Sequence, residues 1–582
     1  MTTIPRTRDV DDLSGAADAH VNVQAAPAEI PQIVRRRLGM PMPDDAAFSW
    51  IGTAVVVAIG GLLRLIGLSH PPGKIFDEIY YATEGDDMFR HGVEWNHTLN
   101  TGDFVVHPPL GKWIIGLGMW IFHRPHPMGA IPEIVTILAL LAVGGAVTLA
   151  TGKRRWLGTA AGVAVAVAVV AWGVGKRQQE TFGWRIMPMI FGTLAILILI
   201  RVTRRLFRST ILGLAAGLLL SLDGMEFVLS RTALLDIFLM FFILAAFACL
   251  VMDRDQRRRR WLTALEGGLD PTAPGRMGRP RTGFLRSVPW WRFAAAVMTG
   301  CAMAVKWSAI WYIILFAILI VFWEVGTRRS AGVPHPWRDT VLDEAGWVVA
   351  FGLVLVLVYV TSWTGWLVTD HGYDRHFYPG SGLFNALRNL WHYHWDALHF
   401  HEGLTTPHPY QSWPWQWLLL GRPVAFYYSA AGTCGAATCS AEVLLLGTPL
   451  LWWSFVPALV GTAAFAVSRR DWRAVAIFFG AAAGIVPWFI WEFSHRTMFY
   501  FYAAPAIPFL VMAVVYVFGV YISGPPRMTW FGFDRRAVAG VVFGLYLLAI
   551  AWAFMYFYPI YVGEVIKYQD WLARMWLGGR WI

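Results

Sequence analysis

Residues 233–252 read ALLDIFLMFFILAAFACLVM, a run of twenty positions with a single charged side chain. A bilayer core takes about 20 mainly apolar residues per helix. Lipid offers no partner to backbone polar groups, so a spanning segment must be a helix or part of a closed barrel. Barrel strands alternate apolar and polar residues over about ten positions. This run is longer and does not alternate, so it predicts a membrane-spanning helix.

Similar runs recur along the chain, of which 57% is hydrophobic and only 15% charged. A soluble domain carries about 25% charged residues. The sequence therefore predicts an all-α integral membrane protein, a bundle of about 11–13 transmembrane helices. The thirteen candidate spans are 47–67, 131–150, 156–175, 185–201, 207–223, 233–252, 290–307, 309–325, 345–367, 442–464, 474–492, 499–522 and 537–558.

The net charge of +11 could suggest nucleic-acid binding, but membrane topology explains it better. Many basic residues stand in short clusters between apolar runs, as the positive-inside rule describes. This bias predicts a cytoplasmic N-terminus, an extracytoplasmic C-terminus and a multi-pass protein of the plasma membrane. Residues 1–46 are expected to form a disordered cytoplasmic tail. The transmembrane domain is expected to cover 47–558, and residues 559–582 to form an extracytoplasmic tail.

Two long outer segments, 68–130 and 368–441, are rich in aromatic, His and Pro residues. Loops on a rigid scaffold carry most functional sites, so the active site is expected on the extracytoplasmic side. The predicted hairpin 131–175 is rich in Ala and Val, and we assign it no chemical role. Cys434 and Cys439 share the second outer segment, where an oxidising compartment permits a disulfide. A free thiol pair remains the alternative, because a bond across so short a loop demands particular geometry.

Two motifs in the first outer segment could carry chemistry. Asp77 and Glu78 are adjacent acids close to the first membrane exit, flanked by apolar and aromatic residues. A solvated acidic pair is the simpler interpretation of such a dipeptide alone. Further on, His107-Pro-Pro-Leu-Gly-Lys112 predicts a turn into an amphipathic helix on the membrane surface.

Charged residues also mark the predicted span ends. Single cations there usually anchor a helix by reaching the interface, yet ionisable residues at membrane depth are functional candidates by default. Four cations stand at the same predicted level, with Arg64 and Asp236 slightly deeper. They are Arg185, Arg231, Lys306 and Arg496.

Together these features resemble the protein O-mannosyltransferase family, over most of the chain from about residue 47. The most specific parts are Phe76-Asp77-Glu78 and, about thirty residues later, His107 to Lys112. Supporting parts are Gly183-Trp184-Arg185, Ser230 to Asp236, Lys306-Trp307-Ser308 and Trp391-His392-Tyr393-His394. The segment 368–441 is too short for the β-trefoil domain of eukaryotic members, so the chain resembles the compact bacterial form. The hairpin 131–175 separates Lys112 from Trp184 more than the family pattern predicts.

The resemblance implies a GT-C glycosyltransferase that moves mannose from polyprenyl-phosphate mannose to Ser or Thr hydroxyls of secreted polypeptides. A carboxylate should take the hydroxyl proton, and Asp77 fits that role, with Glu78 beside it. A phosphate leaving group needs cations rather than an acid, and a single displacement would invert a β donor into an α-mannoside. The residues assigned to the donor phosphate or substrate are Arg64, His107, Lys112, Arg185, Arg231, Asp236, Lys306, His392, His394 and Arg496.

No cofactor is expected beyond the lipid-linked donor, and the partners are the bilayer, acceptor polypeptides and, as a further candidate, the protein-translocation machinery. A metal is the competing idea, since His392, His394, His399, His401 and His408 cluster. Their spacing does not match a recognised zinc pattern. The alternative functions are a lipid-sugar transferase with a glycolipid acceptor and a transporter. Transporters often show paired repeats, and none is evident here.

Overall fold

The computed structural model describes residues 30–39, 41–122, 180–272, 288–523, 529–530 and 532–582. Within these ranges, nine helices are long and apolar enough to cross a membrane. They are Ala46–Leu65, Glu180–Phe207, Asp236–Glu266, Trp307–Ala331, Pro336–Ser362, Pro449–Arg469, Trp472–Glu492, Tyr500–Ile522 and Arg535–Val562. The chain is therefore a multi-span helical membrane protein, as its composition predicts.

These helices test most of the thirteen predicted spans. Nine predicted spans coincide with the nine long helices, whereas 131–150 and 156–175 lie outside the described residues, as does most of the predicted N-terminal tail. The remaining two, 207–223 and 290–307, contain helices of only 12 and 14 residues, Thr210–Ser221 and Trp290–Met303. At 1.5 Å per residue, these cover only about 18 and 21 Å, short of a hydrocarbon core about 30 Å thick.

Shorter elements complete the described chain. The other α-helices are Gln32–Leu38, Glu78–His91, Leu110–Phe122, Gly224–Leu229, Thr364–Val368, Gly382–Gly403, Pro414–Trp417 and Tyr568–Leu572. The strands are Trp95–Asn96, Thr101–Gly102, Val424–Ser429, Cys439–Leu445, Thr529–Trp530, Phe533–Asp534 and Ile566–Lys567. Most of these pieces lie in the two long segments between spans.

The predicted span at 442–464 begins too early. Residues Cys439–Leu445 form a strand that is buried at every position. It pairs antiparallel with Val424–Ser429 on one side and with Ile566–Lys567 on the other. A short continuous apolar run fits a buried strand as well as a helix, so hydropathy alone misplaced this boundary. A disulfide joins Cys434 to Cys439 in the loop that connects strand Val424–Ser429 to strand Cys439–Leu445.

The bundle brings several helix starts to one face. Asp236–Glu266 and Tyr500–Ile522 are the most buried spans, whereas Pro336–Ser362 lies almost wholly on the perimeter. The helices Glu78–His91 and Leu110–Phe122 pack against each other through Gly85 and Gly116, where a Cβ on Gly116 would lie 2.1 Å from the Gly85 carbonyl oxygen. This close crossing fixes Glu78–His91 beside the starts of the central spans.

Candidate active site

Asp77 lies immediately before the helix Glu78–His91 and makes no side-chain capping bond to it. No hydrogen-bond partner for its carboxylate is found in the described part of the chain. Burial raises the pKa of Asp77 to about 6; Lys306 opposes this rise, while Asp236 and Glu84 add to it. A carboxylate with a pKa near neutrality and no partner can accept a proton from a ligand.

A buried ion pair stands beside Asp77. The Lys306 ammonium donates to Asp236 at 2.7 Å, and both side chains are nearly inaccessible. Asp236 begins the central span, and Lys306 directly precedes the span Trp307–Ala331. The ammonium also lies 5.6 Å from the ring centroid of Tyr502, within cation–π range. Lys306 therefore supplies a fixed positive charge near Asp77.

His107 and His401 add two neutral imidazoles. Their ring centroids are 5.3 Å apart, and His107 lies 6.2 Å from the ring of Tyr81. Burial lowers the pKa of His107 well below its usual value and that of His401 to about 4. One nitrogen of His401 lies 3.0 Å from the Val106 carbonyl oxygen. Both rings are therefore uncharged at neutral pH and can take part in hydrogen bonds without adding charge.

Arg496 is a buried cation with a free donor. Its Nε donates to the His401 carbonyl at 3.0 Å, and its Nη2 lies 3.5 Å from His401 Nδ1. Its Nη1 is buried and has no hydrogen-bond partner among the described residues. The guanidinium also lies within 6 Å of the rings of Trp488, Trp491 and Tyr502. A rigid, unsatisfied guanidinium of this kind suits a phosphate oxygen.

We call these residues the Asp77 cluster: Asp77, Tyr81, His107, Asp236, Lys306, His401, Arg496 and Tyr502. Five of the positions that the sequence singled out for the active site meet here: Asp77, His107, Asp236, Lys306 and Arg496. The cluster pairs one unsatisfied carboxylate with two cations, the arrangement that transfer from a phosphate leaving group requires.

Glu78 and Arg185 pair with each other next to Asp77. Arg185 donates to both Glu78 oxygens at 2.8 and 2.7 Å, and to the carbonyls of Leu68, Pro71 and Gly73. Glu78 also accepts from the backbone amides of two further residues. All five guanidinium donors have partners within the protein. Phosphate binding by Arg185 and a catalytic role for Glu78 therefore stay predictions. The pair positions the loop that carries Asp77.

Arg64, Arg231 and Lys112 are also held by the protein itself. Arg64 pairs with Glu226 and is fully buried. Arg231 donates to carbonyls at the end of the first span. Lys112 is fully buried, with Glu94 at 2.6 Å and Glu84 at 3.3 Å. The charge or donors of these three cations already serve internal partners, so donor binding by them stays a prediction.

The two predicted histidines separate. His394 stacks on Trp307, with ring centroids 5.7 Å apart, and its Nε2 lies 2.6 Å from the Tyr359 hydroxyl. His394 therefore packs against Trp307, the residue next to Lys306. His392 faces Asp374 and Asp396 instead. Across the ranges the structure covers, these three residues form the only group whose ligand atoms approach closely enough to hold a metal, within 4.8 Å of one another.

Sequence reasoning missed three members of the cluster in assigning site residues: Tyr81, His401 and Tyr502. Tyr81 had a signal, since it follows Asp77 by four positions and so shares its helix face. His401 belonged to a recognised histidine group, but nothing in the spacing separated it from its neighbours. Tyr502 lies in a 3-10 helix, Tyr500–Ala506, whose position depends on the packing of the central spans.

Comparisons with known proteins agree with this geometry. The model of the C-terminal four-transmembrane region of protein-O-mannosyltransferase matches residues 386–581, and that of dolichyl-phosphate-mannose-protein mannosyltransferase matches 173–269. A polyprenol-phosphate-mannose–protein mannosyltransferase of Mycolicibacterium smegmatis is 33% identical over 92% of this chain and 95% of its own. One of Corynebacterium glutamicum is 30% identical, with the same coverage. The S. cerevisiae Pmt1–Pmt2 complex bound to its sugar donor matches with a TM-score of 0.61 and 14% identity, covering 94% of each chain.

The chain has the fold of a membrane-embedded helical bundle that it shares with the S. cerevisiae Pmt1–Pmt2 complex. Within that class, the chain belongs to the protein O-mannosyltransferase family, since its relatives reach 33% identity over nearly their whole length.

Proposed function

We propose that this chain transfers mannose from polyprenyl-phosphate mannose to Ser or Thr hydroxyls of secreted or translocating polypeptides. The carrying observation is Asp77, a carboxylate with no partner among the described residues and a raised pKa, beside Lys306. Lys306 shares the ring of Tyr502 with Arg496. The names of the relatives, polyprenol-phosphate-mannose–protein mannosyltransferase, supply the donor and the acceptor class.

The reaction needs one base. Asp77 takes the proton of the acceptor hydroxyl as its oxygen attacks the anomeric carbon of mannose. The bond from that carbon to the phosphate oxygen breaks, and the polyprenyl phosphate leaves with the electron pair. A single displacement inverts the anomeric centre, so a β-linked donor gives an α-O-mannoside. The protonated Asp77 releases its proton to solvent after the product departs.

The leaving phosphate needs positive charge rather than an acid. Arg496 offers its unpartnered Nη1, and Lys306 offers a fixed ammonium held by Asp236. Preorganised cations in a site with little water stabilise developing charge strongly. We therefore infer that turnover requires no metal. Transfer should continue in EDTA; loss of activity restored by a divalent ion would instead point to Asp374, His392 and Asp396 as its ligands.

We also propose that the cluster faces the extracytoplasmic side of the plasma membrane, with the N-terminus in the cytoplasm. The basic residues at the opposite ends of the spans support this orientation. The translocation machinery is then a plausible neighbour, because it delivers unfolded acceptors to that side. A cysteine placed in the segment 368–382 should react with an impermeant reagent from outside, and one near Arg258 should not.

The transfer itself can be tested with purified full-length chain, radiolabelled polyprenyl-phosphate mannose and an unstructured peptide rich in Ser, Thr and Pro. Label should enter the peptide and be released by α-mannosidase. A matched peptide with Ala at every Ser and Thr is the acceptor control, and Asp77→Asn is the enzyme control. Label found only in an extractable glycolipid would favour the alternative transferase and contradict the proposal.

A further inference from the structure

A cavity of ≈ 220 Å³ lies between helix ends on the face of the bundle opposite Asp77. Arg254 in its wall is eighteen residues along the central helix from Asp236, or about 27 Å. Its charged lining consists of Arg205, Arg208, Arg254, Asp255, Arg258 and Arg259. We call it the Arg254 pocket. It is remote from the mannosyl-transfer site, and its role is independent of the proposed function.

The charges of the Arg254 pocket do not balance. Asp255 is the one carboxylate in the described lining, against five arginines. It accepts from Arg205 Nε at 2.9 Å, from Arg208 Nη2 at 2.7 Å and from Arg254 Nη1 at 3.4 Å. One carboxylate cannot neutralise so many guanidinium groups, so the cavity carries a local excess of positive charge.

Two of the arginines also have unused buried donors. The side chain of Arg254 is 4% exposed, and its Nε has no hydrogen-bond partner in the described structure. Arg258 Nε is buried and unpartnered in the same way. Trp472 fixes the Arg254 guanidinium, which lies 3.4 Å from the ring centroid. A buried donor without an acceptor is destabilising, so these groups point to an acceptor that completes the pocket.

The positive-inside bias explains basic residues at this face but not this pocket. That bias needs only cations near the membrane ends, and long cationic side chains normally reach out to water. Arg329, at the same end of the bundle, is exposed in this manner. The pocket arginines instead converge on a shared cavity, where burial brings mutual repulsion. An anionic ligand would remove that repulsion.

We propose that the Arg254 pocket binds a phosphate group, carried by an anionic lipid headgroup or present as the free ion. Guanidinium groups match phosphate oxygens in geometry and charge. Basic pockets between spanning helices are known to hold anionic headgroups. The rest of the wall is formed by Leu38, Pro41 and Met42, apolar or nearly so, which suits the glycerol and acyl part of a lipid.

The test uses delipidated full-length chain in three environments. These are phosphatidylcholine nanodiscs, the same nanodiscs with inorganic phosphate, and nanodiscs containing phosphatidylglycerol. Native mass spectrometry counts retained lipid, and the thermal unfolding midpoint reports stabilisation by any ligand of the folded state. Retention of phosphatidylglycerol identifies a lipid source, whereas stabilisation by inorganic phosphate alone identifies the free ion. In either case Arg254→Gln should weaken binding at least tenfold.

Arg329→Gln is the matched control, because it removes an arginine at the same face but outside the pocket, and it should bind as the wild type does. Arg259→Gln removes an exposed lining arginine, so it serves if Arg254→Gln does not fold; it should weaken binding several-fold. Equal ligand response in the wild type and the pocket variant, or no response in either phosphate arm, overturns the proposal. Mannosyl transfer is not the readout, so failure here leaves the proposed reaction untouched.

Discussion

Two charged groups at opposite ends of the bundle bury charge in opposite ways. At one end, Arg292 donates to Asp253 and Glu324 at 2.6 Å and also pairs with Glu344. Arg257 and Arg328 share the same carboxylates, which completes a group that we call the Arg292 network. At the other end, the Asp77 cluster leaves the Asp77 carboxylate and Arg496 Nη1 without partners in the described chain.

This difference separates structural charge from functional charge. Removing an ion from water costs several kcal/mol, which only close opposite partners offset. In the Arg292 network each charged group has such an ion-pair partner, although Asp253 Oδ1 and Arg328 Nε make no hydrogen bond among the described residues. Charges without partners, as in the Asp77 cluster, are retained for a ligand that supplies the missing contacts. By the same criterion, the Glu78–Arg185 ion pair has the features of structural charge.

The largest expected effect is on Asp77. Asp77→Asn keeps the side-chain shape and removes the base, so mannosyl transfer should fall by about 10²–10⁴-fold. The unfolding midpoint should not fall, because no hydrogen bond or ion pair is lost. Single-turnover transfer and thermal unfolding on one preparation measure both. Glu78→Gln is the adjacent control: it leaves Arg185 buried beside an uncharged amide, so it should lower the unfolding midpoint.

A change in the Arg292 network should show the reverse pattern. Arg292→Met removes a partner of three buried carboxylates and leaves Asp253 without an ion pair among the described residues, and breaking a buried ion pair costs about 3–5 kcal/mol. The free energy of unfolding should fall by that amount, while the folded fraction keeps the wild-type KM for the donor. Denaturant titration measures the free energy of unfolding, and donor kinetics measure the KM. Arg329→Met is the exposed control. A large rise in donor KM would mean that the Arg292 network also affects the donor site at the other end of the bundle.

A smaller effect is expected at Arg496. Arg496→Lys keeps the charge but cannot reproduce the planar group that holds His401 and points Nη1 inward. A charge-assisted hydrogen bond is worth about 1.5–3 kcal/mol, so donor KM should rise by at least about tenfold. Donor titration at saturating peptide measures the change. An unchanged donor KM in Arg496→Lys and Arg496→Ala would remove Arg496 from the phosphate site.

Hydropathy predicted the spans well because lipid permits few alternatives. Continuous apolar runs must become helices wherever they cross the bilayer, and nine predicted spans have long helices in the structure. The error at 442–464 arose where this constraint does not apply, since Cys439–Leu445 is a strand buried by protein. The helices Thr210–Ser221 and Trp290–Met303 are shorter than the predicted spans, yet Trp290–Met303 still connects Arg292 at one end of the bundle to Lys306 at the other.

The site was less predictable, because the sequence shows a charged residue but not its partner. Arg185 and Glu78 are 107 positions apart, and Arg64 and Glu226 are 162 apart. No local sequence pattern predicts contacts over such separations, so the sequence does not distinguish paired from unpaired cations. Asp77 was recognisable because its motif with His107 is specific, and the structure adds the reason: it lacks the partner that Glu78 has.

The central claim is that ionised Asp77 is the base, and the pH dependence of transfer tests it most directly. The pKa of Asp77 is raised to about 6 by burial, so kcat/KM should fall tenfold per unit as pH drops below about 6. His107 and His401 stay neutral across this window, since burial holds their pKa values lower. The residual transfer by Asp77→Asn should be independent of pH between about 5 and 7. If Asp77→Asn instead transfers mannose with the same acid limb as the wild type, another group is the base and the account is wrong.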